Sequence, residues 1–146
     1  MYTSSLRIKN INETEKLAKK IADKLTAGEV VFLIGELGAG KTTFTRFLLQ
    51  ALGYSGIVKS PTYSIVESYS VNNKTLHHFD LYRIDNALDL DAMGLRDFFN
   101  SQDICIVEWP DKLDGLLLPD WQLQIEYDDS ISSSRTIVLT TKKDFL

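Results

Sequence analysis

The run Gly35-Glu36-Leu37-Gly38-Ala39-Gly40-Lys41-Thr42 has the residue types and spacing of a phosphate-gripping loop, G-x-x-x-x-G-K-[ST]. Glycines free the backbone to turn its N–H groups inward, so Gly35, Gly38, Ala39 and Gly40 form the expected cradle. A helix beginning at Lys41 would add the partial positive charge of its N-terminus. In that arrangement Lys41 reaches the β- and γ-phosphates as a point charge, the Thr42 hydroxyl ligates Mg²⁺, and Thr43 supports the α-phosphate. The plain alternative is a glycine turn with no ligand. Against it stands the context, a strand-like apolar run before the loop and a helix-like segment after it.

Two acids stand where such a loop needs them. Ile104-Cys105-Ile106-Val107-Glu108 is a run of apolar residues ending in an acid, as in a Walker B strand, with Glu in place of the more usual Asp. Glu108 can serve Mg²⁺ directly, serve it through water, or position the attacking water; the plain alternative is an acid ending an ordinary strand. Asp80 closes His77-His78-Phe79-Asp80 and reads either as a second acid near the metal or as a solvated strand end. His77 and His78 are adjacent, so on a strand they face opposite ways and cannot chelate one metal together; they read as packing or hydrogen-bonding residues. Ser60-Pro61-Thr62 puts Thr62 where nucleotide switches carry a γ-phosphate sensor, and reads equally as a Ser-Pro turn opening a strand.

The elements that must hold these residues follow from periodicity. Leu17, Ile21 and Leu25 recur at helical spacing with Ala18 and Ala22 beside them, which predicts a helix over 13–25. Asn12 with Glu15 reads as its capping box, and Gly28 closes the far end after a short loop. Glu29 to Gly35 reads as a strand buried on both faces, and Lys41 to Leu52 as a helix ended by Gly53. Tyr63, Ile65, Tyr69 and Val71 alternate toward the turn pair Asn72-Asn73, and Thr75 to Asp80 returns as the second strand of an antiparallel hairpin. Ala87 to Phe99 is helical but broken at Gly94, and Asp103 to Glu108 is a second buried strand. Late strands at 121–127 and 135–141 flank the polar turn Asp128-Asp129-Ser130. The expected fold is α/β: one P-loop NTPase-type domain over 1–146, with a mixed central sheet, flanking helices and an antiparallel hairpin.

Composition narrows the classes. The chain has 146 residues, 44% hydrophobic and 25% charged, which suits one globular domain and excludes disordered, collagen-like and coiled-coil classes. A net charge of −4 argues against gripping nucleic acid by bulk electrostatics. The single cysteine, Cys105, excludes a disulfide framework and a cysteine-rich zinc site, and points to the reducing cytoplasm. No stretch approaches the roughly 20 apolar residues of a membrane span, so a soluble protein is expected.

Taken together, the phosphate loop with Thr43-Phe44, then Ser60-Pro61-Thr62-Tyr63, then His78-Phe79-Asp80-Leu81-Tyr82-Arg83, then Glu108-Trp109-Pro110 closely resemble the TsaE family, formerly YjeE, in order and spacing over about residues 10–135. The resemblance implies a small bacterial P-loop ATPase using ATP and Mg²⁺. It also implies work with TsaB and TsaD in placing the threonylcarbamoyl group on the adenosine beside the anticodon of tRNAs reading codons that begin with A. ATP turnover would reset the complex, tRNA would be met only through the partners, and the chain alone would be a monomer. By the same resemblance Thr42 and Glu108 serve the metal, Asp80 lies by the terminal phosphates, and Trp109 belongs to a motif associated with activity. Ile11, Thr14 and Arg135 would border the nucleotide base.

Three rival readings differ in what they need. A kinase needs an acceptor pocket and an arginine-bearing lid, of which there is no sign. A GTPase needs Asn-Lys-x-Asp, and Asn73-Lys74-Thr75-Leu76 lacks the Asp, while Asp91-Ala92-Met93-Gly94 lies in a helical stretch. A non-catalytic nucleotide switch would couple through Thr62, Arg83 and Trp109.

Overall fold

The computed structural model describes residues 1–36, 38–127 and 134–145; Leu37 of the phosphate loop and the expected turn Asp128-Asp129-Ser130 lie outside the described residues. In chain order the elements are β1 (Tyr2–Ile8), α1 (Ile11–Lys24), β2 (Val30–Ile34), α2 (Lys41–Leu52), β3 (Val66–Val71), β4 (Lys74–Asp80), α3 (Ala87–Ala92), β5 (Ile104–Glu108), β6 (Trp121–Tyr127) and β7 (Arg135–Thr141). Short 3₁₀ turns at Arg96–Phe98 and Pro110–Leu113 join the later strands. The strands form one mixed sheet in the order β1-β7-β6-β2-β5-β4-β3. Its centre, β6-β2-β5-β4, is parallel, while β7, β1 and β3 add antiparallel neighbours at the edges.

Strand alternation sorts the core into two layers. Val31 and Leu33 of β2, Leu76 of β4 and Ile104 and Ile106 of β5 face α1 and α2, where they meet Leu17, Ile21, Phe44 and Leu48. Val30, Phe32, Phe79, Cys105 and Val107 face the other way, against Leu81, Leu90, Leu95 and Leu113. With both faces covered, the central strands carry the continuous apolar runs seen in the sequence. Cys105 is part of that packing, and burial pushes its thiol up to about 12.

Trp121 opens β6 with no exposed surface, stands edge-on to Phe145 and donates its indole N–H to Glu29. Trp121→Ala is expected to cost about 3–5 kcal/mol, because the cavity lies where strands on both sides prevent collapse. Urea unfolding of the two proteins measures it, and a loss below about 1 kcal/mol would contradict this packing.

Three expectations need correcting. The N-cap of α1 is Asn10, not Asn12: its side chain accepts from the Glu13 N–H, and Glu13 reaches back to the Lys9 N–H, so the box lies two residues earlier. α1 ends at a Leu25 cap in extended conformation, and Gly28, at φ 81°, follows after a short loop as expected. The hairpin strand begins at Val66 rather than Tyr63, because Ile65 adopts a left-handed φ of 72° that no strand accommodates. Finally, β1 lies where periodicity predicts no strand, since its residues carry no strong alternation; it forms by pairing with β7 along its whole length. Gly53 does end α2 as expected, with φ 112°, and a Cβ there would lie 2.5 Å from Asn72, whose amide donates to the Leu52 carbonyl.

Candidate active site

The site forms where three adjacent parallel strands end on the α1/α2 side of the sheet, the position at which open α/β sheets bind ligands. β2 runs into the glycine loop, and α2 begins at Lys41 behind a Gly40 N-cap at φ 107°, with no side chain capping the helix and no acid in its first turn. Among the described residues its leading N–H groups meet no side-chain cap, a role that a bound phosphate can fill. A Cβ on Gly40 would meet nothing within 4 Å among the described residues, so glycine is kept there for its φ rather than for space.

β4 and β5 bring the acids. Asp80 and Glu108 are register partners at the ends of these neighbouring strands, so their side chains emerge on the same face. Both are buried, at 7% and 4% exposure, and so is Lys41 at 5%. The Lys41 ammonium donates to the Gly35 carbonyl at 2.7 Å and lies 3.8 Å from Glu108 Oε1. Desolvation lowers its pKa, and the negative charges of Glu108 and Asp80 oppose that shift. A buried ammonium facing two carboxylates suits a ligand that brings its own negative charge and metal.

Local backbone holds the rest. Asp80 Oδ1 accepts from the Tyr82 N–H at 3.0 Å, and its Oδ2 accepts from the Thr62 hydroxyl at 3.3 Å, with Ser60 Oγ 2.8 Å from Thr62 Oγ1. The Ser60–Ile65 turn is tied down because Ile65 donates to the Pro61 carbonyl and accepts from the Asp80 N–H. Trp109 follows Glu108 in a left-handed conformation, φ 57°, which lays its indole 4.2 Å from the Lys41 ammonium and beside the Tyr82 ring. Its Nε1 is buried with no hydrogen-bond partner among the described residues. The positive φ of Trp109, a residue that lines the cleft around Lys41, is strain of the kind that collects at functional sites.

Gly38, Gly40, Lys41, Thr42, Thr43, Thr62, Asp80, Glu108 and Trp109 thus line one cleft of about 210 Å³. Ile11, Thr14 and Arg135 are not in it. They line a second cleft of about 200 Å³ that shares Gly38, Gly40 and Thr43 with the first and also includes Ala39. Arg135 donates to the Ala39 carbonyl and stacks over Tyr127 at 4.2 Å. Gly35 instead borders a larger groove of about 860 Å³ between Trp109 and β6. Asp91 pairs with Arg96 on the surface and Gly94 follows the end of α3, so the Asp91–Gly94 string is part of a helix end away from the phosphate loop.

His77 and His78 face opposite ways and form hydrogen bonds, as the sequence predicts, but sequence reading gives neither the partner of His78 nor the turn at Ile65. Only the cross-strand register shows that His78 faces the α2 side below Asp80, whereas His77 faces away, between Ser68 and Asp103. The conformation of Ile65 has no sequence signal, since an isoleucine is the last residue expected at positive φ.

No helix among the described residues is long and apolar enough to cross a membrane. The sequence model of the family described as "Threonylcarbamoyl adenosine biosynthesis protein TsaE" matches residues 8–137. The chain is similar to the tRNA threonylcarbamoyladenosine biosynthesis protein TsaE of Haemophilus influenzae, 46% identical over 112 residues covering 76% of this chain and 71% of that protein. It is also similar to the protein of the same name from Bacillus subtilis, 37% identical over 134 residues covering 92% and 83%. Among solved structures it superposes on the crystal structure of Bacillus subtilis YdiB with a TM-score of 0.74 and 34% identity, covering 97% of this chain and 87% of that one. A P-loop fold, a family match over most of the length and relatives at these identities lead to one conclusion: this chain belongs to the TsaE family of threonylcarbamoyl adenosine biosynthesis proteins.

Proposed function

We propose that this protein is a Mg²⁺-dependent ATPase acting with TsaB and TsaD in threonylcarbamoyl modification of the adenosine next to the anticodon, in tRNAs reading codons that begin with A, where its turnover resets or regulates the complex. The observation that carries the chemistry is the buried Lys41 between the uncapped start of α2 and the paired acids Asp80 and Glu108. Lys41 would exchange the Gly35 carbonyl for phosphate oxygens, and the N–H groups of Gly38 to Thr43 would cradle them. Thr42 and Glu108 would hold Mg²⁺, a hard cation that takes few protein ligands beside phosphates and water. When bound, Mg²⁺ supplies charge neutralisation across the terminal phosphates. Asp80, held by Thr62 and the Tyr82 N–H, and Glu108 are the acids able to orient the attacking water. The Trp109 indole over Lys41 keeps bulk water from that side. The adjoining cleft of Ile11, Thr14 and Arg135 would take the base.

With its net charge of −4 the chain would meet tRNA through its partners, docking on the TsaB and TsaD pair as a monomer in the cytoplasm. Phosphate release from ATP by the chain alone and with TsaB and TsaD tests this reading: turnover is expected to be low alone and to rise with the partners. No release under either condition would overturn it. It would favour a nucleotide switch without catalysis, a reading that the strained, Lys41-linked Trp109 supports.

A further inference from the structure

His78 has no exposed surface and lies on the same face of β4 as Asp80, two residues before it. Its Nε2 is 2.6 Å from Glu108 Oε2 on the adjacent strand, within the range of a strong hydrogen bond to a carboxylate. The other oxygen of Glu108, Oε1, is the one facing Lys41 at 3.8 Å. His78 Nδ1 is buried and has no hydrogen-bond partner among the described residues. An imidazole donating to a carboxylate must carry its proton on Nε2, and a bare Nδ1 then buries a lone pair rather than an unpaired N–H. Burying an unsatisfied ring nitrogen has a cost, and nothing in the packing of this layer requires a polar residue between Leu76 and Asp80. That cost has a return in geometry, because the imidazole fixes one oxygen of a buried acid and leaves the other to face Lys41.

We propose that His78 is a positioning residue for ATP hydrolysis: its Nε2–H anchors Oε2 of Glu108, so that Oε1 is the oxygen presented to Lys41 and the phosphate cleft. The proposal rests on the ATPase reading for its consequence, but its geometric part can be read without turnover. The chain has two histidines, so nitrogen-detected NMR with His77→Gln for assignment identifies the ring of His78. An Nε2–H tautomer with a low-field proton that moves upfield in Glu108→Gln is expected. An Nδ1–H tautomer, or a proton indifferent to Glu108→Gln, overturns the proposal.

The second measurement is steady-state ATP hydrolysis with TsaB and TsaD. His78→Leu, which removes the donor, is expected to lower kcat at least about tenfold with KM within about threefold. His78→Gln places an N–H near the same point and is expected to recover most of that loss. Equal rates for His78→Leu and wild type, or equal loss in the Leu and Gln variants with the fold intact by circular dichroism, would overturn it. If wild type itself releases no phosphate, the ATPase reading fails, and the NMR result still decides whether His78 holds Glu108.

Discussion

Lys41→Ala is expected to raise the dissociation constant for ATP by at least about a hundredfold. Removing one partner of a buried, hydrogen-bonded charge pair costs about 3–5 kcal/mol, which is roughly two to three and a half decades of affinity. Here a second effect acts in the same direction. Lys41 is the cation set between Glu108 and Asp80, so without it the phosphates would enter a buried site holding two uncompensated carboxylates. Lys41→Met, which keeps the buried stem, separates lost packing from lost charge. Both variants should bind ATP equally poorly in a calorimetric titration while keeping a folded circular dichroism spectrum. Binding within about threefold of wild type in either variant would mean that the phosphates do not meet Lys41.

Glu108→Gln is expected to leave ATP affinity within a few fold and to lower turnover by about 10²–10³, the usual range for a positioned catalytic acid or base. The contrast with Lys41 follows from sign. Glu108 is negative where negative phosphates are proposed to bind, so its loss would remove repulsion in the ground state even as it would remove the proposed Mg²⁺ ligand and a means of orienting water. Glutamine is the better test than alanine, because alanine would leave the His78 N–H buried and unpaired at a cost of about 1–3 kcal/mol. Asp80→Asn should behave alike, since its amide oxygen can still accept from the Tyr82 N–H and its NH₂ can donate to the Thr62 hydroxyl oxygen, while the negative charge is lost. ATP binding and phosphate release, measured on the same preparations with TsaB and TsaD present, check both variants. Turnover unchanged in both would remove these acids from the reaction.

Sequence alone determined what depends on neighbours in the chain. The phosphate loop could be read because its chemistry needs glycines and a lysine at fixed spacing before a helix, and α2 runs from Lys41 to Leu52 as expected. The central strands were legible because burial on both faces demands continuous apolar runs, and β5 ends at Glu108 as expected. Two of the misplaced elements have limits set by distant partners. β1 exists through its pairing with β7, and the hairpin strand is shortened by a turn whose anchor is the Asp80 N–H. What brings Asp80, Glu108 and Lys41 together is strand order and register, and no spacing along the chain encodes that β4 lies beside β5 with Asp80 opposite Glu108. The same register turns two adjacent histidines into different residues: His77 bonds Ser68 and Asp103 on one face of the sheet, and His78 lies buried against Glu108 on the other. Local patterns report which groups a chain can offer, whereas burial and partnership are properties of the packed sheet, because only packing excludes water and fixes which charges face one another.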